Sequence, residues 1–324
     1  DWHPLKYSIT AIHGIFLGYK IRDIMSGKKF FQFETRRPID EVLDLIQNKY
    51  VDNKDINPLA DTAIVAILAK LDPHSTFIPA NELQEVNEEI NGSFFGIGIE
   101  FSMIADTLNI INVLSNGPAF KSGLLVGEKI IKANDSTISG IKSNADRVRN
   151  LIKGKIGSTI VIQFLRNGKI LQKNIVRDII PLNSIDAAYM MNKSVGFIRI
   201  NKFTANTYRE FMEALMKLKS HGLQQLILDL RDNGGGVLDE AVEIADEFLE
   251  GDKLITYTEG KHVAKKEYRC RRNGQFEKGA LIVLVDEGSA SASEVLVGAL
   301  QDWDRATIIG RRTFGKGLVQ EQFD

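Results

Sequence analysis

The stretch Leu281-Ile-Val-Leu-Val-Asp-Glu-Gly-Ser-Ala-Ser-Ala-Ser-Glu-Val-Leu-Val-Gly-Ala-Leu300 predicts a strand, a tight turn and a helix in succession. Residues 281–285 have the length and apolar composition of a buried strand, and the apolar residues after Glu294 recur at helical spacing. A strand that leads directly into a helix favours an α/β fold and places the turn at the helix N-terminus. The turn carries three serines, Ser289, Ser291 and Ser293.

These serines have two interpretations that the turn by itself leaves open. Free backbone N–H groups and the helix dipole can stabilise an oxyanion at a helix N-terminus, which would suit Ser291 as a nucleophile. The segment Ser291-Ala-Ser-Glu294 also matches the S-x-x-E capping box, in which the serine only caps the helix. Taken alone, the turn favours the capping interpretation.

A candidate general base, Lys316, follows in the segment Thr313-Phe-Gly-Lys-Gly-Leu-Val-Gln320. An amine accepts a proton only when it is neutral, and burial favours the neutral form. Three apolar neighbours are expected to shield this amine from water: Phe314, Leu318 and Val319. Ser291 and Lys316 are therefore a candidate pair of nucleophile and base.

The same lysine also lies in a partial match to a phosphate-binding loop. Gly310-Arg-Arg-Thr-Phe-Gly-Lys316 fits G-x-x-x-x-G-K and follows the strand-like residues 305–309. The next residue is Gly317, however, where that motif needs serine or threonine to hold Mg²⁺. Residues 318–323 alternate like a strand and do not open a helix, so the sequence argues against a nucleotide triphosphatase.

Length and composition are those of an ordinary multidomain globular protein. The chain has 324 residues, of which 44% are hydrophobic and 26% charged. A formal net charge of −1 gives no electrostatic reason to bind nucleic acid. One cysteine, Cys270, and scattered histidines predict no internal disulfide, no structural metal site and no cofactor.

The first 92 residues predict a helical region. Apolar positions recur at helical spacing from Pro38 to Lys70, and Pro73 stops the pattern. The moderately apolar residues 7–19 are fewer than the about 20 that a membrane-spanning helix needs. An export or anchor segment within residues 1–30 and an ordinary amphipathic helix are both left open.

Residues 93–178 change to short β-type runs separated by glycine turns, which predicts a compact β-rich module. The phrases Phe95-Gly-Ile-Gly-Ile99 and Gly117-Pro-Ala119 resemble PDZ domains. Such domains add a peptide as an extra strand and bind its C-terminal carboxylate through backbone amides of a glycine-containing loop. The resemblance implies that this loop is formed by Phe95, Gly96, Ile97 and Gly98.

Residues 179–324 form the third expected domain. From Ser194 onward strand and helix patterns alternate, which predicts a mostly parallel sheet. Sites in such sheets gather beyond the carboxyl ends of the strands. Because Arg231-Asp-Asn-Gly-Gly-Gly236 and the serine turn both follow a predicted strand, we expect these two loops to meet at one site.

Taken in this order, the features resemble the C-terminal processing (tail-specific) serine peptidases. The resemblance covers roughly residues 38–324 and includes Leu226-Ile-Leu-Asp-Leu-Arg-Asp-Asn-Gly-Gly-Gly236 and Thr313-Phe-Gly-Lys-Gly317. It implies a multidomain α/β protein with a helical N-terminal region (1–92), an inserted PDZ-like domain (93–178) and a ClpP/crotonase-like catalytic core (179–324).

The resemblance also implies roles for individual residues. Ser291 is then the nucleophile, Lys316 is the general base, and Gln320 orients the lysine amine. The expected oxyanion donors are the backbone N–H groups of Ala292 and of a glycine after Asn233, for which Gly236 is the best candidate. Attack by the serine gives an acyl-enzyme that water clears, with no metal or cofactor.

A Ser-His-Asp triad through His74 is disfavoured, since this histidine precedes the PDZ-like module and nothing directs it to the serine turn. The sequence departs from the family pattern in having three glycines after Asn233 without a preceding proline. The chain ends at Asp324, where relatives usually continue, so we expect a catalytic domain truncated at its C-terminus.

The expected partners are protein or peptide substrates with accessible C-termini. The resemblance further implies a periplasmic or cell-envelope location in bacteria. An inner-membrane tether before Pro38 and a homo-oligomer are both left open. The leading functional hypothesis is a serine endopeptidase that recognises C-terminal tails. The alternative is a catalytically inactive PDZ-type scaffold that only binds peptides.

Overall fold

The computed structural model of the protein describes residues 37–104, 106–138 and 145–323. The chain divides into two compact units, residues 1–77 and 78–324. The expected export or anchor segment within residues 1–30 lies outside the described residues. Among the helices of the described part, none is both long enough and apolar enough to cross a membrane.

The first unit contains helices α1 (Pro38–Lys49) and α2 (Asn57–Leu68). Both have proline in their first turn, where the missing N–H would have no helical partner. After α2, the Asp72 carboxylate accepts hydrogen bonds from the Ser75 hydroxyl and from the backbone N–H groups of His74 and Ser75. These bonds, that of the Ser75 hydroxyl foremost, lower the pKa of Asp72 and close the turn.

The second unit opens with helix α3 (Leu83–Asn91) and strand β1 (Ser93–Gly96). A five-stranded antiparallel path and two helices follow: β2 (Ile99–Ile104), β3 (Thr107–Val113), α4 (Pro118–Lys121), β4 (Lys129–Ala133), α5 (Ala145–Ile152), β6 (Thr159–Arg166) and β7 (Lys169–Val176). The short β5 (Ser136–Thr137) pairs with β4. Strand β8 (Asp178–Pro181) returns antiparallel to β1, so the module begins and ends in one two-stranded ribbon.

The buried side chains of this module form one apolar core. Alternate residues of β6 point inward, so Ile160, Ile162 and Phe164 are fully buried while their neighbours along the strand are partly or fully exposed. The core also contains Ile97 from the β1–β2 loop and Ile152 from the end of α5. The loop and the helix are thereby held against the same sheet.

The remainder of the second unit is a five-stranded sheet in the order β15-β14-β11-β10-β9. Its members are β9 (Ile185–Met190), β10 (Val195–Ile200), β11 (Gln225–Asp229), β14 (Leu281–Val285) and β15 (Thr307–Gly310). Strands β10, β11, β14 and β15 pair in parallel, and β9 is antiparallel at the edge. Because β11 and β14 are neighbours, the loops that leave their carboxyl ends lie side by side.

The connecting segments are helices α6 (Thr207–Ser220), α7 (Leu238–Asp246) and α8 (Ala292–Asp302), and a hairpin of β12 (Leu254–Gly260) and β13 (Val263–Arg269). The expected alternation of residues 318–323 as a strand is wrong, since the described residues after β15 form neither strand nor helix. Alternating side chains make a strand only where a neighbouring strand offers a hydrogen-bonding edge.

Candidate active site

Ser291 lies at the junction of the β14–α8 turn and helix α8. Its backbone has φ 57° and ψ −115°, an uncommon conformation for a residue with a side chain. Such strain persists only where the surroundings fix the chain. Here Ala290 donates to the carbonyl of Asn233 at 3.0 Å, and the carbonyl of Ser291 accepts from Val295 at 3.0 Å.

The other two serines of the turn hold neighbouring backbone. Ser289 donates its hydroxyl proton to the carbonyl of Leu230 at 2.8 Å, and Ser293 donates to the carbonyl of Asn233 at 2.9 Å. Both are fully buried, whereas Ser291 is half-buried. Ser291 is thus the one serine of the three that a substrate can reach without first breaking these contacts.

The glycine loop after β11 packs against the serine turn. Asn233 is fully buried, donates to the carbonyl of Ile200 at 2.9 Å and accepts from the N–H of Gly235 at 2.9 Å. The carbonyl of Gly235 accepts from Phe203 at 2.9 Å. The amide of Asn233 therefore fixes the loop from both sides, which places the expected oxyanion glycine in a rigid setting.

Gly235 is a site residue that the sequence did not single out. A Cβ atom there would lie 2.6 Å from the carbonyl oxygen of Ala290 and 2.9 Å from the nitrogen of Ala292. With φ at 93°, a side chain is disfavoured as well. Its own N–H is used by Asn233, whereas the N–H groups of Ala292 and Gly236 donate to none of the residues that the structure describes. These two N–H groups are the expected oxyanion donors.

The carboxylate of Glu294 joins the serine turn to the lysine loop. Its Oε2 accepts from the backbone N–H of Ser291 at 2.8 Å, as in the expected capping box, and from that of Lys316 at 2.8 Å. Its Oε1 accepts from the Thr313 hydroxyl at 2.8 Å and from the N–H of Gly315 at 2.6 Å. Capping and an active-site role are therefore compatible, because one carboxylate does both.

These contacts also set the charge of Glu294. Burial by itself raises the pKa of this carboxyl, but the hydrogen bonds from Thr313, Lys316, Ser291 and Gly315 together hold it below its ordinary value. The group is consequently an anion at neutral pH.

Asp286 connects the two loops in a similar way. Its Oδ1 accepts from the backbone N–H of Asp232 at 2.9 Å and from that of Gly288 at 3.0 Å. Burial raises the pKa of Asp286, yet these bonds and the nearby Arg311 outweigh burial and lower it. The sequence offered no signal for this role beyond an acidic residue at the end of a strand.

The structure brings Lys316 and Gln320 together, since the lysine Nζ donates to Oε1 of Gln320. No hydrogen bond joins Lys316 to Ser291 within the described residues. The expected shielding is wrong: Phe314, Leu318 and Val319 are all more than half exposed, and Lys316 is half-buried. The reason is that the loop is held by its backbone contacts to Glu294, which leave those apolar side chains pointing into solvent.

The expected peptide-binding loop lies between β1 and β2. Ile97 and Gly98 border a cavity of about 250 Å³, whereas Phe95 and Gly96 belong to β1 and do not border it. The rest of the cavity wall has five apolar side chains and five charged ones, and three of the charged ones are glutamates of α3. The cavity therefore lies where a peptide side chain next to the loop would fit.

Models of two known protein families match the β-rich module and the parallel-sheet domain of the second unit. Residues 96–176 match the PDZ domain model, and residues 194–324 match the model of peptidase family S41. The chain thus combines a PDZ domain with an S41 peptidase domain.

Several relatives match nearly the whole chain. The carboxy-terminal-processing protease of Bartonella bacilliformis is 31% identical over 326 residues, covering 98% of this chain and 74% of that protein. The probable CtpA-like serine protease of Staphylococcus saprophyticus is 31% identical over 314 residues, covering 96% of this chain. The chain spans only 63% of the length of the staphylococcal relative.

Among solved structures, the photosystem II D1 C-terminal processing protease is 27% identical and aligns over 88% of this chain and 78% of its own, with a TM-score of 0.46. The match to the Bartonella protease over 98% of this chain, together with the two family models, decides the classification. The chain belongs to the carboxy-terminal-processing proteases of peptidase family S41.

Proposed function

We propose that this chain is the peptidase part of an enzyme that cleaves proteins recognised by their C-terminal tails, with Ser291 as nucleophile and Lys316 as general base. The observation that carries the proposal is the carboxylate of Glu294. It accepts the backbone N–H groups of Ser291 and Lys316 on one oxygen, so the two residues are neighbours although they lie far apart in sequence.

In the proposed reaction, Ser291 Oγ forms a bond to the scissile carbonyl carbon while its proton passes to Lys316 Nζ. The negative charge that develops on the carbonyl oxygen is stabilised by the N–H groups of Ala292 and Gly236. The C–N bond then breaks, and Lys316 returns the proton to the leaving amine. Water hydrolyses the acyl-enzyme by the same route, with Lys316 again taking the proton.

The lysine amine can keep its present hydrogen bond in this reaction, because a neutral amine donates an N–H while its lone pair accepts the serine proton. Its Nζ donates to Gln320, and among the described residues it makes no hydrogen bond to Ser291. Catalytic hydrogen bonds are often long or unformed before substrate binds and shorten in the complex. In this proposal, substrate covers the half-buried lysine and Gln320 keeps its amine oriented.

Several broader features belong to the same proposal. The four parallel strands support a ClpP/crotonase-like core for residues 179–324, and the PDZ match supports a peptide-binding module at 93–178. Substrates with accessible C-termini and a bacterial envelope location follow from the family alone. The comparisons give no support to an inactive scaffold.

Covalent labelling tests the nucleophile. A fluorophosphonate reacts with an activated serine, so incubation followed by trypsin digestion should place the adduct in the fragment 279–305, and fragmentation should assign it to Ser291 rather than Ser289 or Ser293. The rate of hydrolysis of an unfolded protein with an apolar tail should fall in proportion to the labelled fraction. An unlabelled fragment, or labelling without loss of hydrolysis, would refute the proposal.

Replacing Glu294 with glutamine should impair both stability and catalysis. The amide keeps one acceptor oxygen but turns an NH₂ group towards backbone donors, so we expect a loss of about 2 kcal/mol in the free energy of unfolding. Misplacement of the lysine loop should lower kcat/KM about 100-fold. Urea unfolding and steady-state kinetics measure the two effects.

The stability effect of Glu294→Gln should depend on pH. Because folding lowers the pKa of Glu294 below its ordinary value of 4.5, the charged carboxylate stabilises the fold above that pH, and this contribution is lost as the pH falls through the folded-state value. Wild type and variant should therefore converge in acid. Glu287→Gln is the control, since this exposed carboxylate pairs with Arg311 at the surface. Its substitution should change neither the free energy of unfolding nor kcat/KM appreciably. Equal effects of the two substitutions would contradict the role of Glu294.

A further inference from the structure

The cavity beside the β1–β2 loop has an apolar wall and a charged edge. Its apolar lining consists of Phe94, Ile97, Ile99, Phe101, Ile152 and Leu182. The charged residues come from two helical segments, with glutamates on α3 and cations at the end of α5. A ligand for such a cavity has an apolar side chain next to an ionised group.

Lys153 borders the cavity and follows directly after α5. Its N–H donates to the carbonyl of Arg149 at 2.8 Å, and the following residue, Gly154, donates to the carbonyl of Phe95 at 3.4 Å. The ammonium lies 5.5 Å from the centre of the Phe94 ring, and the side chain is 21% exposed. The positive charge is thus held at the edge of the cavity, where desolvation strengthens its interactions.

The loop supplies two further donors. The carbonyls of Ile97 and Gly98 accept hydrogen bonds from Ala119 at 2.8 Å and from Leu114 at 3.0 Å. Their own N–H groups donate to no residue in the described ranges. Backbone donors, an ammonium and an apolar cavity together fit a carboxylate attached to an apolar residue, which is the chemistry of a peptide C-terminus.

In this structure Lys153 forms an ion pair with a carboxylate of the chain itself. Oε2 of Glu88 lies 2.9 Å from the lysine Nζ, and its Oε1 accepts from Gln84 at 2.9 Å. Glu88 is only 6% exposed, and Glu85 lies farther away, at 3.9 Å from the ammonium. A buried carboxylate needs such a partner, since unpaired burial of its charge is unfavourable.

We propose that Lys153 binds the α-carboxylate of a substrate peptide and that Glu88 forms an ion pair with Lys153 in the absence of peptide. The proposal deepens the peptide recognition put forward above and rests on it. A peptide that carries a free carboxylate competes with Glu88 for one ammonium. Removing the charge of Glu88 should therefore tighten binding, and removing that of Lys153 should abolish the preference for a free C-terminus.

Fluorescence anisotropy on the whole chain carrying Ser291→Ala tests this without cleavage. The probes are a labelled decapeptide ending in Val-Leu, its C-terminal amide, and an amidated version ending in Glu. We expect the free acid to bind about tenfold more tightly than either amide, as for a charge-assisted hydrogen bond. Lys153→Gln should reduce this ratio to about one, and Glu88→Gln should raise affinity for the free acid several-fold while leaving the amides unchanged.

Lys155→Gln is the matched control, because it removes an exposed lysine two positions away that does not border the cavity. It should leave all three affinities unchanged, and thermal unfolding should show every variant folded. The proposal is overturned if Lys153→Gln weakens acid and amide equally, if Arg149→Gln alone removes the preference, if the Glu-ended amide binds like the free acid, or if Glu88→Gln fails to tighten binding. Since every arm uses the Ser291→Ala background, failure here leaves the proposed peptidase activity untouched, and failure of that activity leaves this test intact.

Discussion

Replacement of Ser291 with alanine is expected to lower kcat/KM on an unfolded tailed substrate by about 10⁵-fold, to the background of the assay. The hydroxyl oxygen is the atom that forms the acyl-enzyme in the proposed reaction, so no neighbouring group can substitute for it. The free energy of unfolding should fall by only about 1 kcal/mol, because the hydroxyl that caps helix α8 is lost while the backbone contacts of Ser291 to Glu294 and Val295 remain.

Ser293→Ala provides the contrast to Ser291→Ala. This serine is fully buried and its hydroxyl donates to the carbonyl of Asn233, so its loss leaves a buried carbonyl without that donor. We expect a destabilisation of about 1–3 kcal/mol with much of the activity of the folded fraction retained. The reverse pattern, with Ser291→Ala active and Ser293→Ala folded but inactive, would show that the nucleophile has been assigned wrongly.

The position of the serine turn could be predicted because its signals are local. An apolar run followed by S-x-x-E and helical spacing specifies strand, turn and cap within some twenty neighbouring residues. The parallel pairing of β11 with β14 then places the glycine loop beside the turn. The contact between Lys316 and Gln320 is local as well, since the two residues are four apart.

The contacts that assemble the site could not be predicted in the same way, because they join distant parts of the chain. Glu294 matches a helix cap, and nothing in that pattern indicates that its second oxygen accepts from Thr313 and Gly315. Three consecutive glycines also do not reveal which one faces Ala292, and only the packing identifies Gly235. Local patterns predict elements, whereas these contacts depend on how the elements are arranged.

The expected shielding of Lys316 was wrong because a local sequence pattern does not determine which way its side chains face. Apolar neighbours in sequence bury an amine only if the chain turns them inwards, and this loop presents them to solvent. In the proposed mechanism, the half-buried lysine therefore depends on substrate, on Gln320 and on the anchoring by Glu294 for its position. This dependence makes the lysine itself the sharper test of the mechanism.

Replacement of Lys316 with methionine is expected to lower kcat about 10³-fold, the range attributed to a positioned general base. Methionine keeps the unbranched form of the side chain, is one atom shorter and has no amine. Lys316→Arg should be equally inactive, because a guanidinium keeps its positive charge and its hydrogen bond to Gln320 yet cannot accept a proton. The pair of variants thus separates a base from a cation that merely stabilises charge.

The pH dependence of kcat/KM tests the role of Lys316 independently. In the wild type, kcat/KM should rise towards alkaline pH if an amine activates the serine, and this limb should disappear from the residual activity of Lys316→Met. Arg312→Met is the matched control, since it removes an exposed cation from the same loop, and it should keep activity within about twofold of the wild type. Activity in Lys316→Arg, or an unchanged alkaline limb in Lys316→Met, would exclude Lys316 as the base and require another proton acceptor next to Ser291.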